Sequence, residues 1–461
     1  MDGLLNVLVD IFRQPAVIIA LIALLGLLLQ KKSFSDTMKG TIKSFIGFLV
    51  LAAGAGIVDS ALKPFGQMFQ DVFHVQGVVP NNEAIVAPAL VEYGTVAALI
   101  FFFGMVVNIA FARLTNFKYI YLSGHVALYQ SVMIAIIFMV SGMPAWQAVV
   151  FGALAEGVIT TVSPALAQPF MHRVTGSDDV ALGHTGGIGI AFAGLLAKLT
   201  GGAPENSTEK MNVPKNLSFV RDTNVVIFLS MSVVFVVVAL IAGPTYVQEN
   251  ISDGQNYILW AFMQAGMFTA GVFVILAGVR TVLNEIVPAF QGISAKLVPN
   301  SKPALDVPIT FTFAPPNAVM VGFFSSLVAG IVCMIVFGLC GWTIIIPGVI
   351  AHFMTGAASG VIGNSVGGRR GAIIGAFGNG VVISVVPLVL VPFLGELGSA
   401  SATFSDSDFG VFGLYYGLMS NFGQYGIIGA VVIAVVLLFV ASAFVGRSRT
   451  AMAAQGVPAE K

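Results

Sequence analysis

Long apolar segments recur along the whole of this chain. A helix needs about 20 apolar residues to cross roughly 30 Å of hydrocarbon. Only 9% of the residues are charged and 57% are hydrophobic, whereas soluble domains are about 25% charged. The sequence therefore predicts an all-α polytopic membrane protein with about eleven transmembrane helices. These segments fall near residues 15–30, 43–62, 89–112, 119–141, 144–168, 223–243, 258–280, 317–340, 343–362, 371–395 and 424–446.

The composition and the motifs disfavour several function classes. The formal net charge is zero, which argues against a nucleic-acid partner. Cys333 and Cys340 share one apolar run, so no disulfide framework or metal site is expected. No phosphate-binding glycine loop or nucleophile elbow occurs in the sequence, so neither an enzyme nor a cofactor is predicted. The 52 glycines and 20 prolines favour closely packed, broken helices, which are typical of transporters.

Lysine and arginine residues follow alternate segments, as Arg280, Lys296 and Lys302 follow the seventh, and acidic loops lie between them. The positive-inside rule then predicts an N-terminus outside and a C-terminus in the cytoplasm. Residues 1–14 carry an apolar helical face and are predicted to form an interfacial helix. The first apolar segment is expected to be retained, because no basic region or cleavage site of a signal peptide is present. The loops assigned to the outside contain Glu249, Asp253, Glu396, Asp406 and Asp408.

The two halves of the chain share glycine and proline positions at an offset of about 224 residues. Gly47 and Gly54 correspond to Gly271 and Gly278. Each repeat holds five spans, an odd number, so the two copies are predicted to insert upside down relative to one another, as in many transporters. The predicted divisions are a first repeat at 15–200, a cytoplasmic linker at 201–222, a second repeat at 223–420, span eleven at 421–446 and a cytoplasmic tail at 447–461.

Polar, irregular pieces occupy equivalent places in the two repeats and are predicted to be re-entrant hairpins around a binding site. One pair consists of the glycine-rich run 178–187 and residues 404–410. In another pair, Asn82 overlays Asp306. Backbone of this kind persists at membrane depth only inside protein or beside water. A cytoplasmic loop in which His184 has no specific role is an equally simple interpretation of the run 178–187 alone.

Four residues in this frame could carry chemistry. His125 lies inside the fourth span, where an ionisable residue suggests function, although a histidine satisfied by a carbonyl is the simpler alternative. Tyr129 lies one turn further along the same helical face and could equally be a packing residue. Asp306 could accept hydrogen bonds from sugar hydroxyls or be an ordinary loop acid. Glu156, in the middle of the fifth span, could face a partner helix or bind a coupling proton.

The sequence resembles the membrane permease (enzyme IIC) of the bacterial phosphotransferase system for L-ascorbate. The resemblance runs from about residue 31 to residue 447. It is carried by Met38-Lys39-Gly40-Thr41-Ile42-Lys43, Gly54-x-Gly56-Ile57, Leu122-Ser123-Gly124-His125, Gly183-His184, Phe290-x-Gly292-Ile293-Ser294, Leu297-Val298-Pro299, Phe313-Ala314-Pro315, Ile345-Ile346-Pro347-Gly348 and Gly367-Gly368-x-Arg370.

The resemblance implies a homodimer in the bacterial cell membrane, with a mobile core that carries the sugar across the lipid by an elevator movement. A separate cytosolic IIB protein, itself supplied by IIA, then phosphorylates the sugar, so the permease is not an enzyme. The family's substrate-binding residues, carried over position by position, fall on Asn82, Glu83, His125, Tyr129, His184, Thr185 and Asp306.

Departures from the family pattern leave the substrate open. The family has glutamine where this chain has Tyr129 and Thr185, and serine where this chain has Ala55. The expected ligand is therefore ascorbate, a related sugar acid or a polyol. A proton-coupled secondary transporter that uses Glu156 or Asp306 is the alternative from another class.

Overall fold

The computed structural model describes residues 15–73, 77–211, 223–399 and 402–454. The predicted interfacial helix at 1–14 lies outside the described residues, as do parts of the predicted linker and tail. Helices make up most of the described chain, and the prediction of an all-α polytopic membrane protein is confirmed. The repeat boundaries and the terminal orientation stay predictions.

The helices are long in both halves of the chain, and six very short strands lie between them. The α-helices are α1 Pro15–Leu29, α2 Phe34–Phe73, α3 Asn82–Leu114, α4 Gly124–Val140, α5 Ala145–Thr175, α6 Gly187–Leu199, α7 Thr223–Ala242, α8 Pro244–Asn250, α9 Tyr257–Leu297, α10 Pro308–Thr312, α11 Pro316–Leu339, α12 Val349–Ala351, α13 Ala357–Leu390, α14 Ser407–Ser420 and α15 Gly423–Ala454. The strands are β1 Gly77–Pro80, β2 Tyr119–Tyr121, β3 Ala181–Leu182, β4 Lys302–Leu305, β5 Ile344–Ile345 and β6 Ala402–Thr403.

Seven helices of the described chain are long and apolar enough to cross a membrane, or eight if α7 and α8, which meet at a bend of 102°, count as one span. The predicted number of eleven is not reached by this criterion and stays a prediction. Two of the predicted spans differ from the helices in the structure because residues at their start form strands. Residues 119–121 and 344–345 form strands β2 and β5, whose backbone pairs with strands from elsewhere in the chain.

The chain doubles back within α13, between the ninth and tenth predicted spans. Gly367 and Gly368 leave the helical conformation there, and Gly368 has φ +59° and ψ −149°, a region that glycine alone adopts readily. A methyl group on Gly363 would lie 2.3 Å from the carbonyl oxygen of Gly371. Residues eight apart on a straight helix are about 12 Å apart, so the backbone turns sharply here.

Two three-stranded sheets combine the two halves of the chain. In one sheet β1 lies between β5 and β6, and in the other β4 lies between β2 and β3. Each middle strand therefore comes from one predicted repeat and both its neighbours come from the other. The strands β1 and β2 stand within about one residue of the positions equivalent to β4 and β5 at the offset found in the sequence, and β6 follows β3 by 221 residues. This pairing supports the predicted repeat.

Helices α2 and α9 pack closely through the glycines that the repeat relates. A methyl group on Gly47 would lie 2.9 Å from the carbonyl oxygen of Gly278, and one on Gly54 would lie 2.9 Å from that of Gly271. Gly47 thus contacts the repeat equivalent of Gly54, and Gly54 contacts the repeat equivalent of Gly47. Two copies related by a two-fold axis are expected to make this pair of contacts. Without hydrophobic attraction between helices in lipid, such close backbone contact is a main source of their association.

Gly54→Ala is expected to lower the midpoint of thermal unfolding of the purified protein in detergent. Its new methyl group would lie 2.7 Å from the backbone nitrogen of Ile275, and overpacking of this kind costs about 1–3 kcal/mol. Gly56→Ala is the matched control on the same helix, because nothing lies within 4 Å of its methyl position. Alanine there should leave the midpoint unchanged or raise it. Equal midpoints for the two variants would contradict the packing argument.

Candidate functional site

A cavity of about 1020 Å³ lies where the strands of both sheets end. All strand pairs are parallel, so within each sheet the carboxyl ends lie at the same edge. The chain after each strand turns toward the cavity and supplies part of its lining. The lining includes Asn82 and Glu83 after β1, His125 after β2, His184 and Thr185 after β3, Asp306 after β4, Ile350 and Ala351 after β5, and Ser405 and Asp406 after β6.

Every site residue predicted from the sequence lines this cavity: Asn82, Glu83, His125, Tyr129, His184, Thr185 and Asp306. The sheet β2-β4-β3 brings three of them together, although they are far apart in the sequence. His125 Nε2 lies 3.4 Å from Asp306 Oδ2, and His184 Nε2 lies 3.8 Å from Asp306 Oδ1. One carboxylate thus stands between two imidazoles at the cavity wall.

The tautomer of His184 follows from its backbone contact. The Gly186 N–H donates to His184 Nδ1 at 2.9 Å, so Nδ1 carries no proton. A neutral His184 then holds its proton on Nε2, the nitrogen nearer to Asp306. Because 3.8 Å exceeds a hydrogen-bond distance, this N–H is available to a ligand oxygen placed between the two side chains.

Comparison with known proteins identifies the family. The family model described as "PTS system sugar-specific permease component" matches residues 10–408. The chain belongs to this family. It is also similar to an ascorbate-specific PTS system EIIC component of Mycoplasma pneumoniae, with 25% identity over 418 residues that cover 79% of this chain and 63% of that protein. The permease thus spans less than two thirds of that relative's length. The resemblance found in the sequence is confirmed.

Asn82 and Thr185, two of the predicted site residues, use their side chains to bind the loop after β6. The Thr185 hydroxyl donates to Asp406 Oδ2 at 2.6 Å. The Asn82 side chain donates to the same oxygen at 3.0 Å and accepts from the Ser405 N–H at 2.9 Å. Asn82 and Thr185 therefore hold Asp406 in place, and their polar atoms are mostly used within the permease.

Tyr129 and Glu83 are also buried, and the Tyr129 hydroxyl, unlike Asn82 and Thr185, has no partner within the described protein. Tyr129 is only 2% exposed, its ring meets His125 edge to face at 6.1 Å between centroids, and its hydroxyl has no hydrogen-bond partner among the described residues. A buried hydroxyl left unpaired costs about 1–3 kcal/mol, so a ligand oxygen or a water molecule would satisfy it. Glu83, in the first turn of α3, is 6% exposed.

Asp406 and Asp408 are functional candidates that the sequence assigned to an outside loop. The sequence also places both residues in the irregular piece 404–410, which is predicted to lie around the binding site. In the structure Asp406 is 3% exposed and lines the cavity, and Asp408 is completely buried. Asp408 accepts from Ser163 and, at 2.9 Å, from the Ile188 N–H in the first turn of α6. The repeat contained the signal, since Asp406 falls at the position equivalent to Thr185, a predicted site residue, once β3 and β6 are overlaid.

Other ionisable residues lie away from the cavity wall. Glu156 is fully buried in α5, and neither of its carboxyl oxygens has a hydrogen-bond partner in the part of the chain that the structure describes. His352 bonds Ser326 at 2.8 Å and is a satisfied core histidine. Asp178 lies 3.3 Å from Lys302 Nζ. Partial burial raises the pKa of Asp178, but a Gln168 hydrogen bond and the Lys302 ammonium group outweigh burial and hold it below its usual value.

Asp408→Ala is expected to lower the thermal midpoint of the permease and to speed amide exchange at the start of α6. The substitution leaves the Ile188 N–H without its acceptor and leaves the Ser163 hydroxyl only a 3.4 Å contact with the His184 carbonyl, and an unpaired buried group costs about 1–3 kcal/mol. Asp179→Ala is the matched control, because that carboxylate accepts only from Ser177, at an exposed site. Both effects are measured by thermal unfolding and hydrogen exchange in detergent. An unchanged exchange rate at Ile188 in Asp408→Ala would rule out the capping role.

Proposed function

We propose that the chain is the membrane permease (IIC) of a phosphoenolpyruvate-dependent phosphotransferase system for L-ascorbate or a related sugar acid or polyol. A separate cytosolic IIB protein, supplied by IIA, phosphorylates the sugar at the inner face of the bacterial cell membrane. The permease is a homodimer embedded in lipid, with its N-terminus outside and its C-terminus in the cytoplasm, and its core carries the sugar by an elevator movement.

The observation that carries this proposal is the group of His125, His184 and Asp306 at the cavity wall. A carboxylate accepts hydrogen bonds from hydroxyls, and a neutral imidazole offers one donor and one acceptor. A compact molecule with several adjacent hydroxyls satisfies this arrangement better than an apolar or purely cationic ligand does. The family match and the similarity to the ascorbate-specific component of Mycoplasma pneumoniae add independent support.

His184→Ala and Asp306→Asn are each expected to abolish ascorbate binding to purified protein while leaving expression and unliganded stability near those of the wild type. His184→Ala removes an imidazole that faces the ligand, and Asp306→Asn replaces one acceptor oxygen with a donor amide and removes the negative charge. Ligand binding to the folded state raises apparent stability. The measurement is the ascorbate-dependent shift in thermal midpoint. His172→Ala and Asp179→Asn are matched controls outside the cavity and should keep the full shift. A full shift in both site variants would remove these residues from the site.

Proton-coupled transport is the second candidate function, and the buried Glu156 favours it. A carboxyl group with no partner among the described residues at membrane depth is best accommodated as a neutral acid, and intramembrane acids often serve as proton relays. Glu156 is, however, absent from the cavity lining, whereas Asp306 belongs to it. The phosphotransferase proposal therefore assigns Glu156 a neutral packing role between helices.

Glu156→Gln is expected to leave sugar uptake in cells within about twofold of the wild type, because a neutral amide replaces a neutral acid of nearly the same shape. Uptake should fall to background when the cognate IIB gene is deleted and persist when an uncoupler is added. Radiolabelled-sugar uptake measures all three conditions. Uptake that survives loss of IIB and collapses with the uncoupler would instead establish proton coupling.

A further inference from the structure

One face of α9 forms a separate wall of the cavity. The helical spacing of three, four, seven and eleven residues places its lining residues on one side of this long helix. These residues are Phe273, Leu276, Ala277, Arg280 and Asn284. Three are apolar, so Arg280 and Asn284 supply the polar groups of this face.

Arg280 provides a positive charge that no acid among the described residues pairs with. It is the one lysine or arginine in the cavity lining of the described chain, and it is exposed there. It forms no ion pair among the described residues, and the neighbouring acid Glu285 pairs with Lys43 at 3.3 Å instead. Arg280 lines the same cavity as the His125 and Asp306 pair, so its guanidinium group and that pair border one common space.

Three acids line the cavity, of which Glu83 is 6% exposed at the start of α3 and the other two are held by other partners. Asp306 stands between two imidazoles, and Asp406 accepts from Asn82, Thr185 and Ser405. Neither carboxylate forms an ion pair with Arg280 in the described structure, so the cavity keeps an acid-rich wall and a cationic wall. An arginine in a membrane span is costly unless it faces water or a partner, and here the cavity provides that place.

We propose that Arg280 is a specificity-determining residue that binds the anionic group of the substrate and so selects a sugar acid over a neutral polyol. The inference rests on the proposed function and narrows its substrate class. Arginine presents several N–H donors in a planar fork that suits a carboxylate or an enolate oxygen. The Asn284 amide lies one turn further and adds neutral donors and acceptors. Helices α3 and α4 also begin at cavity residues, and helix N-termini favour negative charge.

In this arrangement the ligand lies across the cavity with a defined polarity. Its hydroxyls meet Asp306 and the two histidines, and its anionic group meets Arg280. A neutral polyol keeps the first set of contacts and gains nothing from the second. The sequence placed Arg280 among the cytoplasmic loop charges that orient the protein, and that role alone would not affect the choice of ligand.

The test compares ligand binding by wild type and Arg280→Gln, using L-ascorbate as the anionic probe and a neutral aldono-1,4-lactone as the uncharged one. Dissociation constants come from calorimetry or thermal-shift titration in detergent at neutral pH. Arg280→Gln is expected to weaken ascorbate binding by about tenfold or more and to change lactone binding by less than about twofold. Arg280→Lys should recover part of the loss, and added salt should weaken ascorbate binding only where the cation remains.

Lys296→Gln is the matched control, since it removes the same charge from an exposed site on the same helix outside the cavity. An ascorbate affinity in Arg280→Gln equal to that of wild type would overturn the inference and leave the proposed function intact. An equal loss for both ligands, or an equal loss in Lys296→Gln, would also overturn it. A wild type that binds neither ligand would exclude ascorbate as the substrate and would overturn this inference.

Discussion

Backbone hydrogen bonding between the two halves of the chain is the constraint on which the rest of the permease depends. Strands β1 and β4 would expose unpaired N–H and C=O groups within apolar surroundings, where each such group costs several kcal/mol. Each of them obtains both neighbours from the opposite half. Neither half can therefore complete its own sheet, and the two must fold together. Because the pairing is parallel, it also directs the carboxyl ends of all three strands in each sheet to one edge, which is where the cavity forms.

The two predicted repeats carry different side chains at equivalent positions, and this difference produces a polarised site. The loop after β3 supplies His184 and Thr185, while the equivalent loop after β6 supplies Ser405 and Asp406. The two loops then bond to each other, since Thr185 donates to Asp406 and the Asp408 N–H donates to the Thr185 carbonyl at 2.7 Å. Equivalent backbone thus carries an imidazole on one side and a carboxylate on the other. A site with such unlike walls orients an asymmetric ligand.

The sequence predicted the membrane class, the family and a set of residues that the fold gathers at one cavity. Segment length and composition are enough to predict the membrane class, and the ordered motifs are enough to identify the family. Strands β2 and β5 could not be predicted, because two or three residues are too few to show an alternating pattern and their pairing is non-local. Arg280 was assigned to a loop because a charge at the end of an apolar run usually marks the membrane boundary. In the structure α9 continues to Leu297 and keeps Arg280 on a helical face.

The contacts around Asp406 reduce the number of side chains that remain available to bind a substrate. Asn82 and Thr185 spend their polar atoms on Asp406, so this chain uses them to position a carboxylate. At the position where the family resemblance implies glutamine, this chain has Thr185, whose hydroxyl bonds Asp406. The groups left for a ligand are His125, His184, Asp306 and the unpaired hydroxyl of Tyr129. Tyr129 also replaces a family glutamine, and it exchanges a flexible amide for a rigid ring that packs on His125. Both departures replace an amide and keep the carboxylate and the two imidazoles. Under the proposed function, recognition of the substrate would therefore depend more on charge and less on amide hydrogen bonds than the family pattern implies.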